Sequence, residues 1–382
     1  MRRCLPFLII ICILLSGCGL SDGVYANYRA IEELQLVQTL GFDRVGAELR
    51  LCAATGATQR EAPATLCRSA GSISDAMEAM QDFAPRGELF FAHAQSIVLG
   101  EEFAAAGIGE LLDFVERDVQ MRLGTELYVL RGGRAEALLT GVDGDITEAL
   151  SSVRRALEKR GDSHVFTARE TAMRLSECGA ALVCALRTAE TADSVFPRSE
   201  GCAAVPDGYA IFSGDRLCAY LEGGRAEAAG LLLGQRGSVY RSVPDGSGGT
   251  VTLSYDGSAA VQPQWNPDGT PAPLLVEVTL RARLAETDAA HAVMSDAAAP
   301  EAMCDALRRA VGAEVSAVLA QSAAMGADFL ALGPILRRSS GRRFAALPAD
   351  WLRELEFDVR VEAELLHSYD LNDPVQTEGG AA

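Results

Sequence analysis

Basic residues are scarce in this chain: 34 lysines and arginines stand against 52 aspartates and glutamates, a formal net charge of −18. A surface of that sign repels phosphate backbones and anionic headgroups, which excludes nucleic acid as a partner and adhesion to a membrane by charge alone. Aromatic residues make up only 6% of the sequence, with just two tryptophans, Trp265 and Trp351. That argues against the aromatic-lined cleft of an extracytoplasmic solute-binding protein, the alternative reading for an exported chain of this size. The four histidines, His93, His164, His291 and His367, are far apart in sequence. Cys-x-x-Cys, His-Glu-x-x-His and the phosphate loop Gly-x4-Gly-Lys-Ser/Thr are all missing. No metal set or phosphate cradle is therefore expected, and the reading is against an enzyme.

The first stretch of chain carries the strongest positive signal. Arg2 and Arg3 precede an almost unbroken apolar run from Leu5 to Leu15, then Ser16, Gly17 and Cys18. Charged, apolar and small regions in that order form a secretory signal. The run is about half the ~20 residues that a spanning helix needs. Leu15-Ser16-Gly17-Cys18 resembles the bacterial lipobox, in which the thiol takes a diacylglyceryl group and the peptide is cut just before it. Cys18 would then be the lipid attachment site, and its acyl chains would hold an acidic body beside a membrane it does not otherwise adhere to, at about 0.8 kcal/mol per buried methylene. The chain divides into a signal peptide (1–17), a lipidated tether (18–30), an N-terminal α/β part (31–195), a C-terminal α/β part (206–373) and a tail (374–382).

Apolar runs over Leu34–Phe42 and Glu48–Thr55 read as a hairpin around Asp43–Gly46, and Leu89–Leu99 reads as one long buried strand. Glu101–Ala106 and Ile108–Val119 read as helices broken at Gly107, Glu126–Leu130 as a strand and Ile146–Arg160 as a helix. Ser72 with Asp75 and Thr167 with Glu170 have capping-box spacing. Tyr209–Phe212 and Leu217–Leu221 flank a Ser-Gly-Asp turn, and Val251–Tyr255 is the single strand-like piece of a Gly/Pro-rich stretch over 243–273. Leu274–Leu284 reads as a strand, Glu301–Ala324 and Ala327–Arg337 as helices, and Leu355–Leu365 as a half-exposed strand. Strands alternating with helices predict a mixed α/β, multi-domain fold with packed helices on mixed sheets. Of the ten cysteines, Cys178–Cys184 and Cys202–Cys218 are close enough to pair, while Cys52 and Cys304 read as small buried hydrophobes. The pattern favours mostly free thiols.

Two further features invite a chemical reading. Gly132-Gly133-Arg134-Ala135-Glu136-Ala137 recurs as Gly223-Gly224-Arg225-Ala226-Glu227-Ala228. Each copy reads as a strand-to-helix turn, where free N–H groups could also hold an anion. His93, inside an apolar run, could serve a surface enzyme only if the fold brought it a carboxylate or nucleophile, and a structural role is the simpler expectation.

Phe91-Ala92-His93-Ala94-Gln95-Ser96-Ile97-Val98-Leu99-Gly100-Glu101, then Gly107-Ile108, then Arg117-Asp118-Val119-Gln120-Met121-Arg122 resemble the Ger(x)C (GerAC-like) family of spore germination lipoproteins. Ile31–Asp43, Gly208–Leu217 and the run Asp328-Phe329, Gly333, Arg337-Arg338 and Trp351 are similar to the same family, in the same order. Gly19-Leu20-Ser21 stands where many members carry Trp-Asp-Arg, and the regions 178–205 and 240–273 depart from the pattern. The resemblance implies the C subunit of a nutrient germinant receptor, without known catalytic residues. It also implies a place on the outer face of the spore inner membrane, with A and B membrane subunits as partners. His93, Gly100, Glu101, Gly107, Arg117, Asp118 and Arg122 then become candidates for structural or partner-contact roles. Asp118 and Arg122, four apart on a predicted helix, would pair with each other.

Overall fold

The computed structural model describes residues 34–56, 62–84, 87–142, 144–160, 164–190, 202–246, 248–287 and 299–366. Leu15, Ser16, Gly17, Cys18, the tether, His291, His367 and the tail lie outside the described residues.

The first sheet is built from β1 (Leu34–Val45), β2 (Glu48–Thr55), β3 (Ala64–Ala70), β4 (Glu88–Phe90), β5 (Ser96–Gly100), β6 (Glu126–Leu130), β7 (Ala180–Glu190), β8 (Cys202–Ser213) and β9 (Arg216–Leu221). Its order is β3-β2-β1-β5-β6-β7-β8-β9, with β4 beside the start of β1. The neighbours β1, β5, β6 and β7 are parallel, and an antiparallel ribbon closes each side, β2–β3 on one and β8–β9 on the other. Parallel strands require crossovers, and the helices supply them. These are α1 (Ile73–Gln81), α2 (Glu101–Ala106), α3 (Gly109–Arg117), α4 (Ala135–Gly141), α5 (Ile146–Arg160) and α6 (Ala168–Cys178). The period-2 alternation of each strand sorts its side chains between the two faces. Ile97 and Leu99 pack with Met77, Met80, Phe103 and Leu111 from α1, α2 and α3, whereas Val98 between them packs with Leu138, Ile146 and Leu150 from α4 and α5.

The second sheet, β10 (Val239–Pro244), β11 (Thr250–Gln262), β12 (Leu274–Thr287) and β13 (Phe357–Leu365), runs in that order. Helix α7 (Gly223–Leu232) leads into it, and α8 (Ala299–Met325), α9 (Leu332–Ser339) and α10 (Gly341–Phe344) make the crossover from β12 to the parallel β13. One apolar cluster joins the two sheets: Leu182, Tyr209 and Ile211 of the first lie in the same core as Leu253, Val276, Leu307 and Phe329. The expected division, after 195 and before 206, falls at the passage from β7 into the start of β8, which pair antiparallel with each other.

The mixed α/β class and most elements stand as read, and several details are corrected. The run Leu89–Leu99 is two strands, because a 3-10 turn over Phe91–His93 redirects the chain between pairing with the start of β1 and pairing with its middle. Asp43 belongs to β1, and the hairpin turns at Gly46, whose φ of 64° suits glycine. The helix expected to reach Val119 ends at Arg117. The one expected from Ala327 starts at Leu332, after Ala331 in the left-handed region. The Gly/Pro-rich stretch holds the second half of β11 as well as its first, paired residue by residue with β12.

The cysteines are also corrected. Cys52 and Cys67 sit directly opposite each other in the β2–β3 register and form a disulfide, while Cys178, Cys184, Cys202, Cys218 and Cys304 are free. Cys52 is buried as expected, but as half of a cross-strand bond.

Candidate functional site: the carboxyl ends of the parallel strands and the loop after α3

In open α/β sheets, ligands bind beyond the carboxyl ends of the parallel strands. Here Val45, Gly100 and Leu130 end β1, β5 and β6. Asp43, 2% exposed, points its carboxylate at the start of α4, where Oδ1 accepts the Ala135 N–H at 2.7 Å and Oδ2 the Glu136 N–H at 2.7 Å. The first N–H groups of a helix lack intrahelical partners and carry its positive dipole end, so a carboxylate is stabilising there. Burial pushes the Asp43 pKa up; the two N–H bonds and Arg134 pull against that. The Gly-Gly-Arg turn thus holds an anion, and the anion is the chain's own.

Gly100 follows from the same contact, because a Cβ at this position would overlap Asp43 Oδ1. Glu101, the first residue of α2, ties the surrounding loops together. Its Oε2 accepts the Gly132 N–H at 2.9 Å, its Oε1 accepts the Tyr220 hydroxyl at 2.7 Å, and its own N–H donates to the Gly133 carbonyl at 3.1 Å. Burial, and the hydrogen bond to Glu101, push the Tyr220 phenol well above its ordinary value. Arg131 lies over the Tyr220 ring and pairs with Asp207 at 3.0 Å and Glu222 at 2.5 Å. On the far side of Asp43, Arg50 pairs with Glu136 at 2.7 Å, which lowers the Glu136 pKa. The crossover end is a closed set of internal ion pairs and caps, with its anion position already filled.

Gly107, φ 129°, ends α2 against the β8–β9 turn: the Ile108 N–H donates to the Asp215 carbonyl at 2.9 Å, and a Cβ on Gly107 would lie 2.7 Å from Asp215 Oδ2. His93 is half-buried in its 3-10 turn, and its ring has no hydrogen bond or ion pair among the described residues.

Of the Arg-Asp…Arg pattern, Arg117 is the last residue of α3 while Asp118 and Arg122 lie in the loop after it, so the expected Asp118–Arg122 pair does not form. Arg117 pairs instead with Asp113, one turn back, at 2.7 Å, and Asp118 Oδ1 accepts the Gln120 N–H at 2.7 Å. The loop is pinned at its base, where buried Thr125 donates its hydroxyl to the carbonyls of Ala94 and Arg122, at 3.2 and 2.7 Å. Val119 at its crest is 96% exposed, and the Arg122 side chain beside it is exposed, with no internal partner among the described residues. Arg117 and Asp118 also line an open cleft of about 580 Å³, shared with Ser72, Glu110 and Phe114.

A second buried carboxylate repeats the Asp43 device. Asp328, 5% exposed, accepts the Leu332 and Gly333 N–H groups, each at 2.7 Å, at the start of α9. Burial outweighs these bonds and the nearby Arg174, so its pKa is pushed up to about 6 from an ordinary 3.8. A carboxyl whose pKa is raised on folding contributes stability that is complete below its unfolded value and is lost as pH rises through the folded value. Asp328→Asn is therefore expected to gain on the parent between about pH 4 and pH 6.5, by up to about 3 kcal/mol at 1.36 kcal/mol per pKa unit. Urea unfolding of both proteins across that range checks it; a pH-independent difference would contradict it.

Among the described residues the crossover end is internally satisfied, and the most exposed large apolar side chain, Val119, stands on the loop after α3. Residues 27–173 match the family model "Spore germination protein N-terminal domain", and residues 207–369 match "Spore germination B3/ GerAC like, C-terminal". The chain belongs to the Ger(x)C family of spore germination proteins. A solved structure, the crystal structure of the GerBC protein, shares the fold: TM-score 0.55, 12% identity, covering 86% of this chain and 97% of that one. No curated protein matches the sequence. The family is one of C subunits of germinant receptors, not a known family of enzymes, and it implies association with the spore membrane. No helix among the described residues is long and apolar enough to cross a membrane.

Proposed function

We propose that this chain is a lipid-anchored, non-catalytic subunit of a nutrient germinant receptor, held on the outer face of the spore inner membrane through Cys18, where it supports receptor assembly or signalling with the A and B membrane subunits. The family matches across both halves of the body carry the reading. The lipobox-like Leu15-Ser16-Gly17-Cys18 supports the anchor, and an acidic surface leaves acyl chains as the means of attachment.

Within this reading the loop 117–123 meets a membrane subunit. A fully exposed valine beside an unpaired arginine has nothing to do inside the fold, and an apolar side chain flanked by charge is how an interface anchors and orients itself. Spores lacking the chain, with redundant receptors removed, are expected to lose dipicolinate release on nutrients and to keep the response to calcium-dipicolinate. Loss of both responses would contradict the assignment.

A further inference from the structure

The second sheet ends on β13, which pairs with β12 along one side and carries no strand on the other among the described residues. A groove of about 410 Å³ runs between this free edge and helix α8. Its helix wall is Gly312, Ala313 and Ser316, too small to fill it, and its strand wall is Val359 and Val361. At Gly312 the two elements approach so closely that a Cβ would lie 3.3 Å from Val361 Cγ2. Cys304, two turns earlier on the helix, lies at the backbone of Leu365, so α8 and β13 run antiparallel. Arg308 and Arg309 therefore lie beside the carboxyl half of β13.

Arg308 is already held by Glu301 and Asp305, whereas Arg309 is exposed and makes no hydrogen bond or ion pair among the described residues. On a chain of net charge −18, Arg309 is an exposed positive charge at this groove without an ion-pair partner among the described residues. The other face of β13 carries Asp358, Arg360, Glu362 and Glu364, charges that discourage indiscriminate edge pairing and leave selection to the groove side.

We infer that the groove between α8 and β13 receives an extended, acidic segment of a partner protein. The segment adds to the second sheet as one more strand. Its backbone pairs with the free edge of β13, alternate small apolar side chains enter beside Gly312 and Ser316, and its acidic end meets Arg309. An edge strand beside a helix is the arrangement by which sheets capture extended peptides, with main-chain bonds giving affinity and the pockets giving choice. This surface is separate from the loop 117–123 and does not depend on the role proposed for it.

The test uses the full chain in detergent and a fluorescein-labelled Glu-Glu-Thr-Val-Thr-Val-Glu-Glu peptide, which presents acid at the arginines in either strand direction. Saturable binding is expected, at least tenfold weaker for the peptide with lysine in place of every glutamate. Arg309→Glu is expected to weaken it about fivefold or more, and Ser316→Trp, which fills the groove from an exposed position, to abolish it without lowering the melting temperature. If Ser316→Trp melts early, Ala313→Trp blocks the same groove. No saturable binding, equal binding of both peptides, or binding indifferent to a blocked groove would overturn the proposal. So would self-association of the chain lost on blocking the groove, which would make a second copy the occupant. Peptide binding that appeared only after removal of residues 368–382 would give the groove to the chain's own end and also overturn it.

Discussion

Asp43→Ala is expected to destabilise the protein by about 2–4 kcal/mol, because it leaves the Ala135 and Glu136 N–H groups at a buried helix start without acceptors. Gly100→Ala is expected to be comparably harmful for the complementary reason, since its methyl group would occupy the space of Asp43 Oδ1. The two defects share one cause, so they should not add. In the double variant the methyl group enters the space that the carboxylate vacates, and a coupling of about 1–3 kcal/mol in the compensating direction is expected. Urea unfolding of the parent, both single variants and the double variant measures it. Simple additivity would mean that Gly100 is a glycine for some reason other than Asp43.

The Cys52–Cys67 bond carries the other large effect. It closes a loop with a sequence separation of 15 residues. On the chain-entropy model a loop of that size lowers the entropy of the unfolded chain enough to stabilise the fold by about 3 kcal/mol. Replacing both cysteines by alanine, or reducing the protein, is expected to lower stability by that order. The loss should concentrate at the β2–β3 edge, because β3 pairs with β2 alone in the first sheet. Amide exchange should quicken first over Ala64–Ala70. Equal stability of the oxidised and reduced protein would show that the register holds the edge without the bond.

What could be read from the sequence was local. β2, β6 and α5 appear with the bounds that periodicity sets, and the Thr167–Glu170 capping box is present in full. Each is decided by residues within one or two turns of each other. What escaped depends on contacts that cross the chain. Asp43 looked like a turn residue because its partner helix begins 92 positions later. The disulfide needed the β2–β3 register, and β3 itself, short and interrupted by Arg68, gave no strand signal.

The break at Phe91–His93 was hidden by a largely apolar run, since burial on either side of the turn demands the same residue types. The second half of β11 was hidden by its glycine, which sits where Leu280 and the Thr279 carbonyl of β12 come closest. Of the candidate residues, Gly100, Glu101 and Gly107 lie where separate elements meet. Arg117 ends α3, and Asp118 and Arg122 lie on the exposed loop after it, a placement the helical spacing had concealed.

The measurement that tests the receptor reading most directly is dipicolinate release from spores in which Cys18→Ala replaces the native gene and other receptor copies are removed. A lipid-anchored receptor subunit predicts failure of nutrient-triggered release, together with loss of the protein from the inner-membrane fraction. Normal release by spores whose protein has left the membrane would contradict it.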